Sequence, residues 1–268
     1  MSIHIEIILK YCYRNLQLSF FFIIFFLHFS CRSQEQNRYS RISEIPVPQN
    51  FVRIEGKNPE LDLFFRNFEL KTENNSVYLY NGKLKSNQDA QFAVLKIDVG
   101  NRDLQQCADA VMRLRAEFLY SRKKFSQIKF NFLSDGKPRY YKDFAKNDYS
   151  YKKFRKYMDF VFSYANTSSL KDELENVSDP RTISIGDIFI TKGTPYGHAV
   201  TVMDIAKNQQ TGAIIFLLSQ SYMPAQEIHI LKNPENSDIS PWYSLKLSGE
   251  LQTPEWTFEM TDLMRFPE

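Results

Sequence analysis

GDIFITKGTPYGHAV, residues 186–200, is the stretch on which the fold turns. It contains the end of one apolar segment, TISIGDIFI (182–190), and the start of another, HAVTVMDIA (198–206). A third, AIIFLLSQSYM (213–223), follows after a short polar break around residues 209–212. Three β-branched and aromatic runs separated by turn residues read as consecutive strands of an antiparallel meander. Period-two alternation puts His198, Val200 and Val202 on one face of the middle strand, with Ala199, Thr201 and Met203 on the other. On the next strand Ile214, Phe216, Leu218 and Gln220 share a face, so an apolar row ends in a carboxamide.

Upstream of these strands lies a helix. In CADAVMRLRAEFLY (107–120), Leu104, Cys107, Val111, Leu114 and Phe118 recur at helical spacing, so Cys107 faces inward from the first turn. Asp103 is the expected N-cap, with Gln106 three residues on in a capping-box arrangement. Further helices are expected over residues 59–68, 151–165 and 170–177, where apolar residues keep helical spacing. VYLYNGKLK (77–85), QFAVLKIDVG (91–100) and IKFNFL (128–133) read as strands, with turns at Asn81-Gly82 and in SDGKP (134–138). A sheet packed on the cysteine helix, with extra helices inserted, gives the α+β class.

The amino terminus is of a different kind. Lys10 and Arg14 precede LSFFFIIFFL (18–27), an apolar run too short to cross a bilayer of about 30 Å but matched to a secretory signal. Ser30 before Cys31, with polar RSQEQNRYSR after it, resembles the processing site of bacterial lipoproteins, in which the cysteine is acylated. Cleavage nearby or an uncleaved anchor is the alternative. The expected organisation is a signal segment over 1–31 with Cys31 lipidated, a polar tether over 32–44, and one α+β domain over 45–268. The chain is thereby expected in the cell envelope, membrane-anchored through Cys31.

Composition narrows the chemistry. With 268 residues, 43% hydrophobic, 24% charged and a net charge of +3, the chain reads as an ordinary globular protein. The basic stretch 122–156 reads as a solvated face, and nucleic acid is not an expected partner. The chain has no paired-cysteine or HExxH pattern, no P-loop and no dinucleotide fingerprint, so neither a metal nor another cofactor is expected. Of its three cysteines, only Cys107 lies beyond the signal region. A lone thiol in an oxidising compartment is either reactive or a small buried hydrophobe.

The reactive reading has a definite geometry. A helix N-terminus favours thiolate, and packing the sheet on that helix brings His198 to Cys107 as base and then acid. Gln220 would orient the imidazole, accepting its N–H without the charge a carboxylate offers. Asp204 is the competing orienter, but it stands roughly 20 Å along the strand. Gln105 and Gln106 are candidate oxyanion donors beside the Cys107 N–H. Tyr222, Trp242 and Trp256, in the aromatic segments after Gln220, are candidate substrate-binding residues, and His229 is expected to face solvent.

QQCADAV, GDIFI, GHAVTVMD and a following strand ending in a polar residue together resemble the NlpC-type and CHAP-type members of the papain-like cysteine hydrolases. That resemblance implies a papain-like fold, a peptidase or amidase activity on cell-wall peptide, and the roles of nucleophile, base and orienter for Cys107, His198 and Gln220. DLQQCADAVMRLRAEFLY, LLSQSYMPAQEIHILKNP, SPWY and TPEWTF resemble an uncharacterised family of bacterial exported domains more closely. The alternative function is a non-catalytic envelope domain that binds a glycan, peptide or partner protein in the same cleft. Acyl transfer between lipids is a third reading.

Overall fold

Strand pairing gathers the chain around one antiparallel sheet in the computed structural model, which describes residues 38–193 and 196–267. In chain order the first half comprises β1 (Phe51–Arg53), α1 (Pro59–Arg66), β2 (Gln91–Val94), α2 (Cys107–Ser121), β3 (Lys129–Asn131) and β4 (Pro138–Tyr140). Three helices follow, α3 (Tyr141–Ala145), α4 (Tyr151–Tyr164) and α5 (Thr167–Lys171). The remainder is mostly strand: β5 (Glu175–Asn176), β6 (Ile188–Thr191), β7 (His198–Asn208), β8 (Ile214–Gln220) and β9 (His229–Leu231). After these come β10 (Tyr243–Ser244), β11 (Glu250–Gln252), β12 (Thr257–Glu259) and β13 (Leu263–Arg265).

Among the described residues the main sheet has nine strands, in the order β2-β9-β8-β7-β6-β13-β5, with β1 paired to β7 and β10 to β8. The expected meander β6-β7-β8 is its centre. β7 and β8 form a long hairpin whose two ends are flanked by different strands. β6 and β9 cover the end carrying His198 and Gln220, while β1 and β10 cover the end near the turn. The alternation along β7 keeps its register to Val202, after which a bulge opposite β8 resets it.

Helix α2 packs across β7 and β8. Its buried residues run all round it, from Ala108 and Val111 to Met112, Ala116 and Leu119, because sheet and neighbouring helices enclose it. Arg113 survives full burial by donating to Glu117, Gln105, Tyr151 and the Asp98 carbonyl, which meets the requirement that buried charge be paired.

Both glycines of the GD…GH pattern are fixed by space. Gly186 has φ +87°, and a Cβ there would meet the Leu61 side chain. A Cβ on Gly197 would collide with the Thr191 carbonyl oxygen and press on Thr167. The aspartate of the pattern is structural: Asp187 binds Arg265 through both carboxylate oxygens, at 2.6 Å each, and accepts the Ser184 N–H at 2.8 Å.

Several expectations change. The N-cap of α2 is Gln106, and Asp109 reaches back to its N–H at 3.0 Å, so the capping box sits three residues later than Asp103 predicts. Asp103 instead accepts from Gln106 Nε2 and from the Ala225 N–H. Residues 77–85 form a tight turn with isolated bridges rather than a strand, and the helix expected over 170–177 is α5 followed by β5. The domain also begins before residue 45. Ile42 is fully buried and the Ser40 carbonyl accepts the Leu70 N–H, so part of the expected tether 32–44 belongs to the core. The signal segment 1–31, with Cys31, lies outside the described residues. Among the described residues no helix is long and apolar enough to cross a membrane.

Candidate functional site

Several chain segments converge at the His198 end of the central hairpin. Cys107 is the first residue of α2, and its Sγ lies 3.8 Å from the carbonyl oxygen of Gly197 and 3.9 Å from Thr167 Oγ1. Gly197 immediately precedes His198, so the thiol stands against the backbone that presents the imidazole. A Cβ at 197 would meet the Thr191 carbonyl oxygen and Thr167, the residue whose hydroxyl faces the thiol. α5 completes the wall, held by Asn166, which caps it through the Ser168 and Ser169 N–H groups.

The thiol is 8% exposed, at the edge of an open cleft of about 610 Å³. Gln106, Asp109, Asn166, Thr167 and Tyr196 also line this cleft. His198 is not among the residues lining the cleft and is 1% exposed. Its ring is boxed by Tyr222 at 4.9 Å, Trp256 at 5.2 Å and Phe258 at 5.8 Å between centroids.

Gln220 meets the imidazole as expected, with Oε1 2.9 Å from His198 Nε2. This bond occupies Nε2 and leaves Nδ1 as the other ring nitrogen. The carboxamide is itself held from behind: its Nε2 donates to Glu255 Oε2 at 2.6 Å and lies 3.4 Å from His229 Nε2. Glu255 is anchored by Lys85 Nζ at 2.5 Å and by Asn87 Nδ2 at 3.0 Å.

Glu255 and Trp256 come from the turn of the β11–β12 hairpin, closed by Thr253 on Trp256. One short hairpin therefore supplies the carboxylate behind Gln220 and two of the rings around His198.

Electrostatics follow from burial. Desolvation lowers His198 to about 4, against the opposing pull of Gln220 and Glu255, so the imidazole is neutral at pH 7. Desolvation and the Asp109 carboxyl push the Cys107 thiol up, outweighing the N–H groups of Ala108 and of Cys107 itself and the Thr167 hydroxyl. The resting pair is thus thiol and imidazole, not thiolate and imidazolium. Burial also raises Glu255, but Lys85 and Asn87 overcome it and hold the carboxyl below its ordinary value. Burial lowers Lys85, with Glu255 opposing.

The remaining expected residues divide clearly. Tyr222 and Trp256 belong to the His198 box, and Trp256 Nε1 donates to Thr191 Oγ1 at 3.1 Å. Trp242 does not reach the site: it is buried against the amino-terminal segment, donating to the Pro46 carbonyl at 2.7 Å with Arg53 over its ring. Of the two oxyanion candidates, Gln106 lines the cleft and Gln105 turns away, its Oε1 accepting from Arg113 at 2.9 Å. Asp204 is taken by Arg53 at 2.6 Å and Arg66 at 2.8 Å. His229 is fully buried rather than facing solvent, with Nδ1 2.9 Å from the Glu227 carbonyl.

Among the described residues no group of three or more His, Cys, Asp or Glu side chains is placed to hold a metal ion. Lys85, Asn87 and Glu255 carry no signal in the sequence that relates them to the site. His229, which the sequence places toward solvent, is instead an inward position opposite Gln220 in register.

These features define an α+β domain with a large antiparallel sheet, a cysteine at a helix start and a buried His–Gln–Glu chain beside it. The protein belongs to the family described as domain of unknown function (4846), which matches residues 42–265. No curated protein and no solved structure matches it.

Proposed function

We propose that the domain is a cysteine hydrolase of papain-like topology, exported and lipid-anchored through Cys31, which cleaves an amide bond in cell-wall peptide or a related substrate. The observation that carries this reading is the placement of Cys107 Sγ on the Gly197 carbonyl, one residue from a histidine whose Nε2 is already occupied by Gln220. Nδ1 is the other ring nitrogen; among the described residues no hydrogen bond joins it to Sγ at rest, so the two must close on each other when substrate binds.

In the reaction, His198 Nδ1 takes the thiol proton as Sγ bonds to the substrate carbonyl carbon, and the carbonyl electron pair moves to oxygen. The N–H of Cys107, which in the resting site turns toward its own Sγ, and Gln106 Nε2, which also donates to Asp103, are the candidate donors for that oxygen. Collapse of the tetrahedral centre breaks the C–N bond, and the leaving amine takes the proton back from His198. Water, activated by the same imidazole, hydrolyses the thioester. Because thiol and imidazole are neutral at rest, proton transfer accompanies attack and does not precede substrate binding.

Incubating purified cell-wall peptide fragments with the full chain, and counting new amino termini by mass spectrometry, tests the reading. Cleavage by the wild type and none by Cys107→Ala supports it; equal cleavage by both removes it. The burial of His198 favours a second reading, a non-catalytic envelope domain that binds glycan or peptide in the same cleft. Retained binding of those fragments by Cys107→Ala, with no cleavage by either protein, would select it.

A further inference from the structure

The carboxamide of Gln220 has a direction, and two groups behind it set that direction. An amide oxygen only accepts and an amide nitrogen only donates, so the neighbours decide which end faces His198. Glu255 is held ionised by Lys85 and Asn87 and is therefore acceptor-only. It lies 2.6 Å from one end of the carboxamide, which must be the nitrogen.

His229 enforces the same choice. Its Nδ1 faces the Glu227 carbonyl at 2.9 Å and must donate to it. The neutral ring then has a lone pair on Nε2, facing the same Gln220 nitrogen at 3.4 Å. Both amide hydrogens thus point away from His198, and Oε1 faces it. Oε1 cannot donate, so the proton of the neutral His198 ring sits on Nε2 and the lone pair on Nδ1.

We infer that Glu255, anchored by Lys85, is a positioning residue that acts through Gln220 to fix the His198 tautomer and so makes Nδ1 the base. The chemical consequence rests on the cysteine hydrolase reading; the tautomer itself does not. Glu255 does not receive a proton, because passing one through a carboxamide would require its imidic acid form. It works by hydrogen-bond polarity and by its charge, which favours imidazolium when His198 is protonated.

The test reverses the polarity while keeping the ion pair. In the full chain, with Cys12 and Cys31 replaced by Ser, Lys85→Glu with Glu255→Lys places a donor behind Gln220. The carboxamide should turn over and the His198 proton move from Nε2 to Nδ1. Long-range proton–nitrogen spectra at pH 7.5 read this directly, with Nε2–H expected in the wild type and Nδ1–H in the exchanged protein. Cleavage should fall by on the order of 10³-fold or more, the scale on which a triad histidine loses function in the wrong tautomer.

If the exchanged protein does not fold, Glu255→Gln serves instead, since glutamine can present either polarity. It should give a mixture of both tautomers, with His229 alone biasing the carboxamide. Nε2–H retained undiluted in the variant that folds overturns the inference. A structural role alone would lower stability and leave the tautomer unchanged. Failure of this inference would be separable from failure of the hydrolase reading, because Cys107→Ala acts on cleavage and not on the His198 proton.

Discussion

His198 Nε2 and Gln220 Oε1 lie 2.9 Å apart at the buried end of the central hairpin, joining the first residue of β7 to the last of β8. The bond satisfies one nitrogen of a ring that is 1% exposed, and it aims the other nitrogen by elimination. Removing it leaves a buried donor without a partner. Gln220→Ala is expected to cost about 1–3 kcal/mol in urea unfolding and to abolish cleavage, because the ring loses both its orientation and its tautomer. Full cleavage by Gln220→Ala would show that the carboxamide is not needed to aim the ring.

Gly197 carries the carbonyl against which the Cys107 thiol lies, so its substitution tests packing and chemistry together. A methyl group at this position meets the Thr191 carbonyl and the Thr167 side chain. Gly197→Ala is expected to lose about 1–3 kcal/mol, the range for overpacking, and to slow cleavage through displacement of Cys107. Calorimetry and cleavage assays on the same variant check both, and an unchanged melting temperature would contradict the contact.

Stability should depend on pH in two opposed ways. His198 and His229 are lowered by burial to about 4 from an ordinary value of 6.5. The unfolded chain therefore binds protons that the fold refuses, and their contribution is complete above pH 6.5 and lost as pH falls toward 4. Asp109 runs the other way: burial raises it to about 8 from 3.8, so its contribution is complete below 3.8 and lost as pH rises through 8. Glu173, raised by burial to about 7, acts like Asp109. Between pH 6.5 and 8 only the carboxyl effects remain among these four. Urea midpoints should fall over that window, and Asp109→Asn should flatten the fall. A wild-type midpoint that rises over it would contradict the protonation assigned to Asp109.

The sequence is legible where one periodicity dominates. The helix from Cys107 and the strands carrying His198 and Gln220 are long, apolar and regular, so their side-chain directions follow from spacing. Gln220 stands out because a carboxamide ends an apolar row. Lys85 and Glu255 stand in a turn and in a hairpin tip, where no period relates a residue to a distant partner, and their 2.5 Å contact spans 170 positions. Trp242 misleads for a related reason: the aromatic segment after Gln220 leaves the cleft, and the tryptophan packs on Pro46 in a part of the chain that reads as polar or extended. The capping box of α2 shifts because two acidic residues, Asp103 and Asp109, offer alternative reaches and only Asp109 lies inside the helix.

The action of His198 on Cys107 is read, without knowledge of the substrate, from the rate at which iodoacetamide alkylates Cys107. The full chain with Cys12→Ser and Cys31→Ser leaves Cys107 as the one reactive thiol. With the thiol raised by burial, unassisted reaction at pH 7 is slow, and a base that accepts its proton should accelerate alkylation by about tenfold or more. His198→Ala is expected to lower the rate at pH 7 by that factor, and the two proteins should converge as pH rises into the range where the thiol ionises unaided. Equal rates at every pH would contradict it.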